Sequence, residues 1–194
     1  MKIAYVDTEA GPTPHQVGQI SGTPTIKAFV PKRSSAKNEK SVIDYDQARE
    51  VGDLLRFATG RMPNHVESIG DDAALAAFHA KANEWGLPRV LVFSNKAGAT
   101  SSTLKSLSAE FRRRVLIGEL KSNKHTKAVA AFGVTSYPTL LCLPDGQDTP
   151  THRLSFEKKE ATYHRLNTLI GKCALKKPVL KKPAASTGPA KEEL

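Results

Sequence analysis

Cys142 and Cys173 are the only thiols in the chain, so thiol-disulfide exchange is the first chemistry to weigh. Exchange needs an accessible thiolate, typically one of a Cys-x-x-Cys pair at the start of a helix, where the thiol pKa falls. No such pair occurs. Cys142 lies in the apolar run Leu140-Leu141-Cys142-Leu143 and Cys173 at the end of a helical pattern, so both are expected to be packing residues rather than a redox pair. Cys142 and His152 would face each other across a Pro144-Asp145-Gly146 hairpin, but no third orienting group accompanies them, which argues against a Cys/His nucleophile. His15, His65, His79, His125, His152 and His164 show no ligand spacing, so no metal is expected. Gly98 stands alone among small polar residues and forms no phosphate loop, so no cofactor is expected either.

Two X-Pro-Thr steps say more. Ser21-Gly22-Thr23-Pro24-Thr25-Ile26-Lys27-Ala28-Phe29 and Thr135-Ser136-Tyr137-Pro138-Thr139-Leu140-Leu141-Cys142-Leu143 each run through a turn into an apolar strand, with a short helical stretch before. The two prolines stand about one small domain length apart.

These steps need elements to hold them. In the first region, Ile3–Val6 reads as a strand, Pro14–Ile20 as a short helix, and Thr25–Val30 with Ser41–Tyr45 as a strand pair around a lysine-rich loop. Val51, Leu54, Leu55 and Ala58 then fall on one helical stripe ended by Gly60 and Pro63. In the second region, His65–Ile69 reads as a strand. Leu75, Phe78, Ala82 and Trp85 mark a helix closed by Gly86 and Pro88, and Val90-Leu91-Val92-Phe93 is the unbroken apolar run of a strand covered on both faces. Helix Thr103–Arg113, strand Val115–Gly118, helix Lys124–Phe132, strands Thr139–Leu143 and His152–Phe156 and helix Lys159–Gly171 complete an alternating α/β pattern.

With 194 residues, 39% apolar and 25% charged, the chain suits one full domain and a smaller piece. No stretch approaches the 18 or so apolar residues of a membrane span, and the first residues lack the h-region of a signal peptide. The net charge of +10 raises nucleic acid as a partner. Part of that excess, however, lies in the Pro/Ala-rich end from Lys172 onward, and no aromatic residues interleave with the basic runs to stack bases. Nucleic-acid binding is therefore the weakest of three functional readings.

The ordered pattern around Pro24 and Pro138, with Ala4-Tyr5-Val6-Asp7 before it and Tyr45-Asp46-Gln47-Ala48-Arg49 after its first copy, resembles the protein disulfide isomerases of the thioredoxin superfamily. The resemblance implies an α/β, thioredoxin-like fold in three parts. Residues 1–63 would be the C-terminal half of a catalytic-type domain, 64–175 a complete non-catalytic domain, and 176–194 a flexible basic tail. In that family the reactive pair sits between the second strand and the following helix. Ser94–Ser102 fills this place in the second region without a cysteine, and in the first region the corresponding segment is missing, so the chain is expected to be truncated at its N-terminus and inactive as an oxidoreductase.

The resemblance also implies that Thr23-Pro24 and Tyr137-Pro138 are cis and border polypeptide-binding surfaces, and that Arg49 stands where the family carries an arginine that tunes a cysteine. Without cysteines to serve, Arg49 defaults to a surface residue. Lys191-Glu192-Glu193-Leu194 is similar to the Lys-Asp-Glu-Leu signal read by the endoplasmic reticulum retrieval receptor. The implied protein works in protein folding in that lumen, on unfolded or nascent polypeptides and alongside other folding factors. The alternative is a redox-inactive module that binds polypeptide or a chaperone. A first region without its front half would leave a gap one strand wide between Ile3–Val6 and Thr25–Val30, and should be poorly stable alone or borrow a strand.

Overall fold

A computed structural model describes residues 2–32, 39–121, 126–144, 147, 149–155 and 161–180. Chain contacts divide it into two compact units, Met1–Asn64 and His65–Leu194.

The first unit is a ribbon and a helix. β1 (Lys27–Pro31) and β2 (Lys40–Asp44) pair antiparallel, with Phe29 opposite Val42, and α1 (Val51–Gly60) follows. Lys27 and Asp44, also opposite each other, close a 2.6 Å ion pair. Tyr45 packs edge-on against Phe57, and the Arg61 guanidinium lies over the Phe57 ring, 3.9 Å from its centroid.

Three expectations fail in whole or in part here. Ile3–Val6 forms no strand, and Ile3 and Tyr5 are 90% and 85% exposed; a strand needs a neighbour for its amides, and within this unit the ladder beside it is missing. The expected helical stripe is only partly covered. Leu54 and Ala58 are half-buried, but Val51 and Leu55 face solvent and Phe57 takes the buried position, because a two-stranded ribbon offers little surface to cover a helix. The expected helix at Pro14–Ile20 shrinks to one 3-10 turn, His15–Val17.

The second unit holds β3 (Glu67–Ile69), α2 (Asp72–Trp85), β4 (Arg89–Ser94), α3 (Ser102–Glu110), β5 (Leu116–Lys121), α4 (Thr126–Ala131), β6 (Thr139–Leu143), β7 (His152–Ser155) and α5 (Tyr163–Cys173). Its sheet runs β3-β5-β4-β6-β7, with β3 and β4 parallel to β5, β6 antiparallel to β4, and β7 antiparallel to β6. The second strand thus lies between the third and the fourth, the order of a thioredoxin-like fold.

Alternation along the strands builds two cores. Val90, Val92, Ile117 and Leu140 point to the side of α3 and α5, where Leu104, Leu107, Phe111, Leu166 and Ile170 meet them. Leu91, Phe93, Leu120 and Leu141 point to the side of α2 and α4, where Phe78, Ala128 and Val134 close the layer. All six residues of β4 are buried, as its central place requires. Phe78 comes so close to β5 that a Cβ on Gly118 would stand 2.9 Å from its ring and 2.6 Å from Ile69, which only glycine avoids.

Helix ends follow local chemistry. Asp71, Ser101 and Thr162 accept from the amides of Ala74, Leu104 and Arg165 as N-caps. Gly86 ends α2 in the left-handed conformation at φ 59°. The Thr162 cap starts α5 at Tyr163 rather than at Lys159. Asp145-Gly146, the beginning of the helix expected from Lys124, Phe156–Glu160 and Lys191–Leu194 lie outside the described residues.

Candidate functional site

The X-Pro-Thr turns are built alike. Both Thr23-Pro24 and Tyr137-Pro138 are cis. In each, the threonine after the proline donates its hydroxyl to the carbonyl three residues back: Thr25 to Gly22, and Thr139 to Ser136 at 2.7 Å. The recurring threonine thus satisfies a turn carbonyl from within the turn. Their surroundings differ. Thr23 and Pro24 are exposed, and the Pro24 carbonyl accepts from the Arg49 guanidinium at 2.9 Å. Arg49 and Pro24, singled out separately in the sequence, therefore meet, with the arginine bonded to the turn.

Tyr137 and Pro138 are half-buried at the head of β6, and Tyr137 packs against the α2/α4 core. Behind them Arg153, on β7, donates to the carbonyls of Gly133 at 2.8 Å and of Phe132, closing the end of α4. Gly133 takes a left-handed φ of 56° there.

The place between β4 and α3 carries no thiol. Ser94 Oγ accepts from the Lys96 amide at 3.2 Å, and Ser101 caps α3. Thr100 donates its hydroxyl at 2.8 Å to Glu119, a carboxylate only 5% exposed, which also takes Lys121 Nζ at 2.7 Å. A carboxylate buried this far is costly unless it is paired and hydrogen-bonded, and Thr100 with Lys121 supplies both. Sequence reading ended the strand at Gly118 and so missed Glu119. The clue was present in Ile117-x-Glu119-x-Lys121, an alternation that continues the strand beyond the glycine. The other missed charge is Arg89, buried at the start of β4, which bonds His79 Nδ1 at 3.0 Å and the carbonyls of Gln147 and Pro144 at 2.7 and 3.2 Å. It ties the central strand to the connection that follows β6.

The cysteines require a correction. Cys142 and Cys173 form a disulfide between β6 and the last turn of α5, whereas the sequence favoured packing residues and left their pairing open. Their sequence separation of 31 hid the pairing, since only the stacking of α5 on the α3 side of the sheet brings Cys173 to Cys142. Cys142 and His152 do stand opposite each other in the β6/β7 register, but the bonded sulfur cannot act as a Cys/His nucleophile.

Nearer the start of α5, Glu110 of α3 accepts from Tyr163 and from Asn167, the latter at 2.9 Å. Donation to Glu110, with a smaller share from burial, raises the Tyr163 pKa above its ordinary 10.0. Among the described residues no group of three or more His, Cys, Asp or Glu could hold a metal, and no helix is long and apolar enough to cross a membrane.

No family model matches the chain, and no curated protein matches it. Among solved structures, the thioredoxin NaTrxh of Nicotiana alata is 17% identical at a TM-score of 0.49, over 58% of this chain and 95% of that one. Fasciola hepatica thioredoxin is 20% identical at 0.46, over 55% and 98%. ERdj5 form II is 18% identical at 0.48, over 67% of this chain and 18% of its own. Likenesses of this degree add no function. The thioredoxin-like fold of the second unit stands on its own strand order and on the two helical layers that cover it.

Proposed function

We propose that this chain is a non-redox, polypeptide-binding part of a protein disulfide isomerase-like folding factor of the endoplasmic reticulum lumen. The observation that carries the reading is the combination at the head of the second unit. The β4–α3 segment holds Thr100 bonded to buried Glu119 where redox relatives would hold a reactive thiol, while Tyr137-Pro138 stays half-exposed at the head of β6. The chain's two cysteine sulfurs are bonded to each other and offer no thiolate. Residues 1–63 would then be the second half of a catalytic-type domain, residues 64–175 a complete non-catalytic one, and 176–194 a tail whose Lys191–Leu194 addresses the retrieval receptor. Within this reading Thr23-Pro24 and Tyr137-Pro138 border the polypeptide, and Arg49 braces the first turn through Pro24. No cofactor takes part.

The test is binding of a permanently unfolded polypeptide, reduced and carboxymethylated, to the full chain by fluorescence anisotropy. Tyr137→Ala should weaken it several-fold, with a thermal melt recorded alongside to separate lost binding from lost folding. Insulin reduction should stay at the level of a Cys142→Ser/Cys173→Ser variant. Turnover above that control would make the chain an oxidoreductase, and failure to bind the unfolded polypeptide would remove the module reading.

A further inference from the structure

Two basic runs far apart in the sequence, Arg112-Arg113-Arg114 after α3 and Lys176-Lys177 after α5, lie together in the fold. The Leu175 amide donates to the Arg114 carbonyl at 2.9 Å and the Val179 amide to the Arg113 carbonyl at 2.8 Å. Arg114 Nε returns a bond to the Leu175 carbonyl at 2.6 Å. Residues 175–179 thus form a short bent strap against the turn before β5, and both lysines fall between its two backbone bonds. The strap begins two residues past Cys173, which the disulfide fixes to β6.

Arg114 turns inward, half-buried, with its guanidinium 5.2 Å from the Phe111 ring centroid. Arg112, Arg113, Lys176 and Lys177 are exposed and have no acidic partner among the described residues. Glu110, the acid nearest in sequence to the arginines, is engaged by Tyr163 and Asn167. Arg113 holds a left-handed φ of 61°, an unusual conformation for a side chain of its size. Like charges brought together repel, and a counter-anion at this place relieves that repulsion.

We infer that this turn and strap form a docking surface for an acidic polypeptide segment of a partner protein. Arginine forks and lysine ammonium groups suit carboxylates through charge-assisted hydrogen bonds. Within the turn and strap the one ring, Phe111, is 4% exposed beneath Arg114. The nearby exposed ring of Tyr163 is held by its hydroxyl on the Glu110 carboxylate, a negative charge that a phosphodiester backbone would have to pass. Both disfavour single-stranded nucleic acid. Leu180, 70% exposed at the end of the strap, offers an apolar contact that an acidic peptide bearing one apolar residue can use and a phosphodiester backbone cannot. The cations sit on one turn and one strap, a compact cluster fitted to a short segment rather than to the plane of a bilayer. This surface is separate from the Tyr137-Pro138 loop and does not depend on the polypeptide-binding reading of it.

The experiment titrates a fluorescent twelve-residue Glu/Asp-rich peptide with one leucine against the full chain at low and at physiological salt. Binding should weaken with salt, as exposed charge pairs are screened. Arg112→Glu/Arg113→Glu and Lys176→Glu/Lys177→Glu should each reduce affinity ten-fold or more while leaving the melt unchanged. Because the two pairs are joined only by the fold, an effect of the lysine pair alone, with the arginine pair silent, would overturn the inference. So would absence of peptide binding at low salt, or tighter binding to phosphatidylserine vesicles or to single-stranded RNA than to the peptide.

Discussion

The two X-Pro-Thr turns share their local chemistry and differ in almost everything around it. Each has a cis prolyl bond, a threonine hydroxyl on the carbonyl three residues back, and a strand directly after. The second feeds β6, whose five residues are all buried between two helical layers. The first feeds β1, where Phe29 stays 40% exposed opposite an equally open Val42. Among the described residues of the first unit, Phe57 is the one buried hydrophobic side chain, while Ile3, Tyr5, Val6, Phe29, Val42, Val51 and Leu55 face solvent. A turn of this kind is specified within four residues, but a core is specified only by strands and helices that the local sequence does not contain.

The sharpest way to break this contrast is to separate the units. Residues 65–180 alone should unfold cooperatively with a stability on the order of 5–15 kcal/mol, and residues 1–64 alone should show no cooperative melt. A sigmoidal transition from 1–64 would mean that its exposed apolar residues find cover the ribbon does not display.

Next in size are truncations within each unit. Phe78→Ala, between α2 and β5, should cost about 3–5 kcal/mol in chemical denaturation. Leu55→Ala on α1 should change stability by no more than about 0.5 kcal/mol, and a larger loss would reveal a packed surface on that helix.

Removing the bridge with Cys142→Ala/Cys173→Ala should destabilise the second unit by about 2–4 kcal/mol. The same comparison can be made with a reductant, which should lower the melting temperature of residues 65–180 and leave 1–64 untouched, since the first unit has no cysteine.

The smallest expected difference lies between the two threonines. Thr139→Val should cost about 1 kcal/mol by leaving a half-buried carbonyl without its partner. Thr25→Val, on an exposed turn where water can replace the hydroxyl, should cost no more than a few tenths. Equal losses would show that the first turn is as enclosed as the second.

Periodic segments were the most legible. The Leu75-Phe78-Ala82-Trp85 stripe and the Val90–Phe93 run fall inside α2 and β4, because apolar periodicity reports directly on which faces are covered. Ile3–Val6 had equal strand character and remained unpaired, since propensity cannot supply a neighbour. Glu119 and Arg89 were hidden for the opposite reason. Each is a charge in the interior, tolerated because partners from distant positions, Thr100 and Lys121 for one and His79 with two carbonyls for the other, converge on it. Arg112–Arg114 and Lys176–Lys177 lie far apart in the sequence, so no local pattern shows that they meet.

The sequence by itself determined the alternation of strands and helices in the second unit, both prolyl turns and the lack of Cys-x-x-Cys, because each of these depends on residue type over a few neighbouring positions. Only the tertiary structure decided that Cys142 meets Cys173, that Thr100 meets Glu119, that Arg49 meets Pro24, and that two basic runs form one surface. Those pairings depend on how elements stack around the sheet and fold back past it. Stacking order is a property of the whole assembled unit, where buried area and satisfied polar groups are settled together rather than residue by residue.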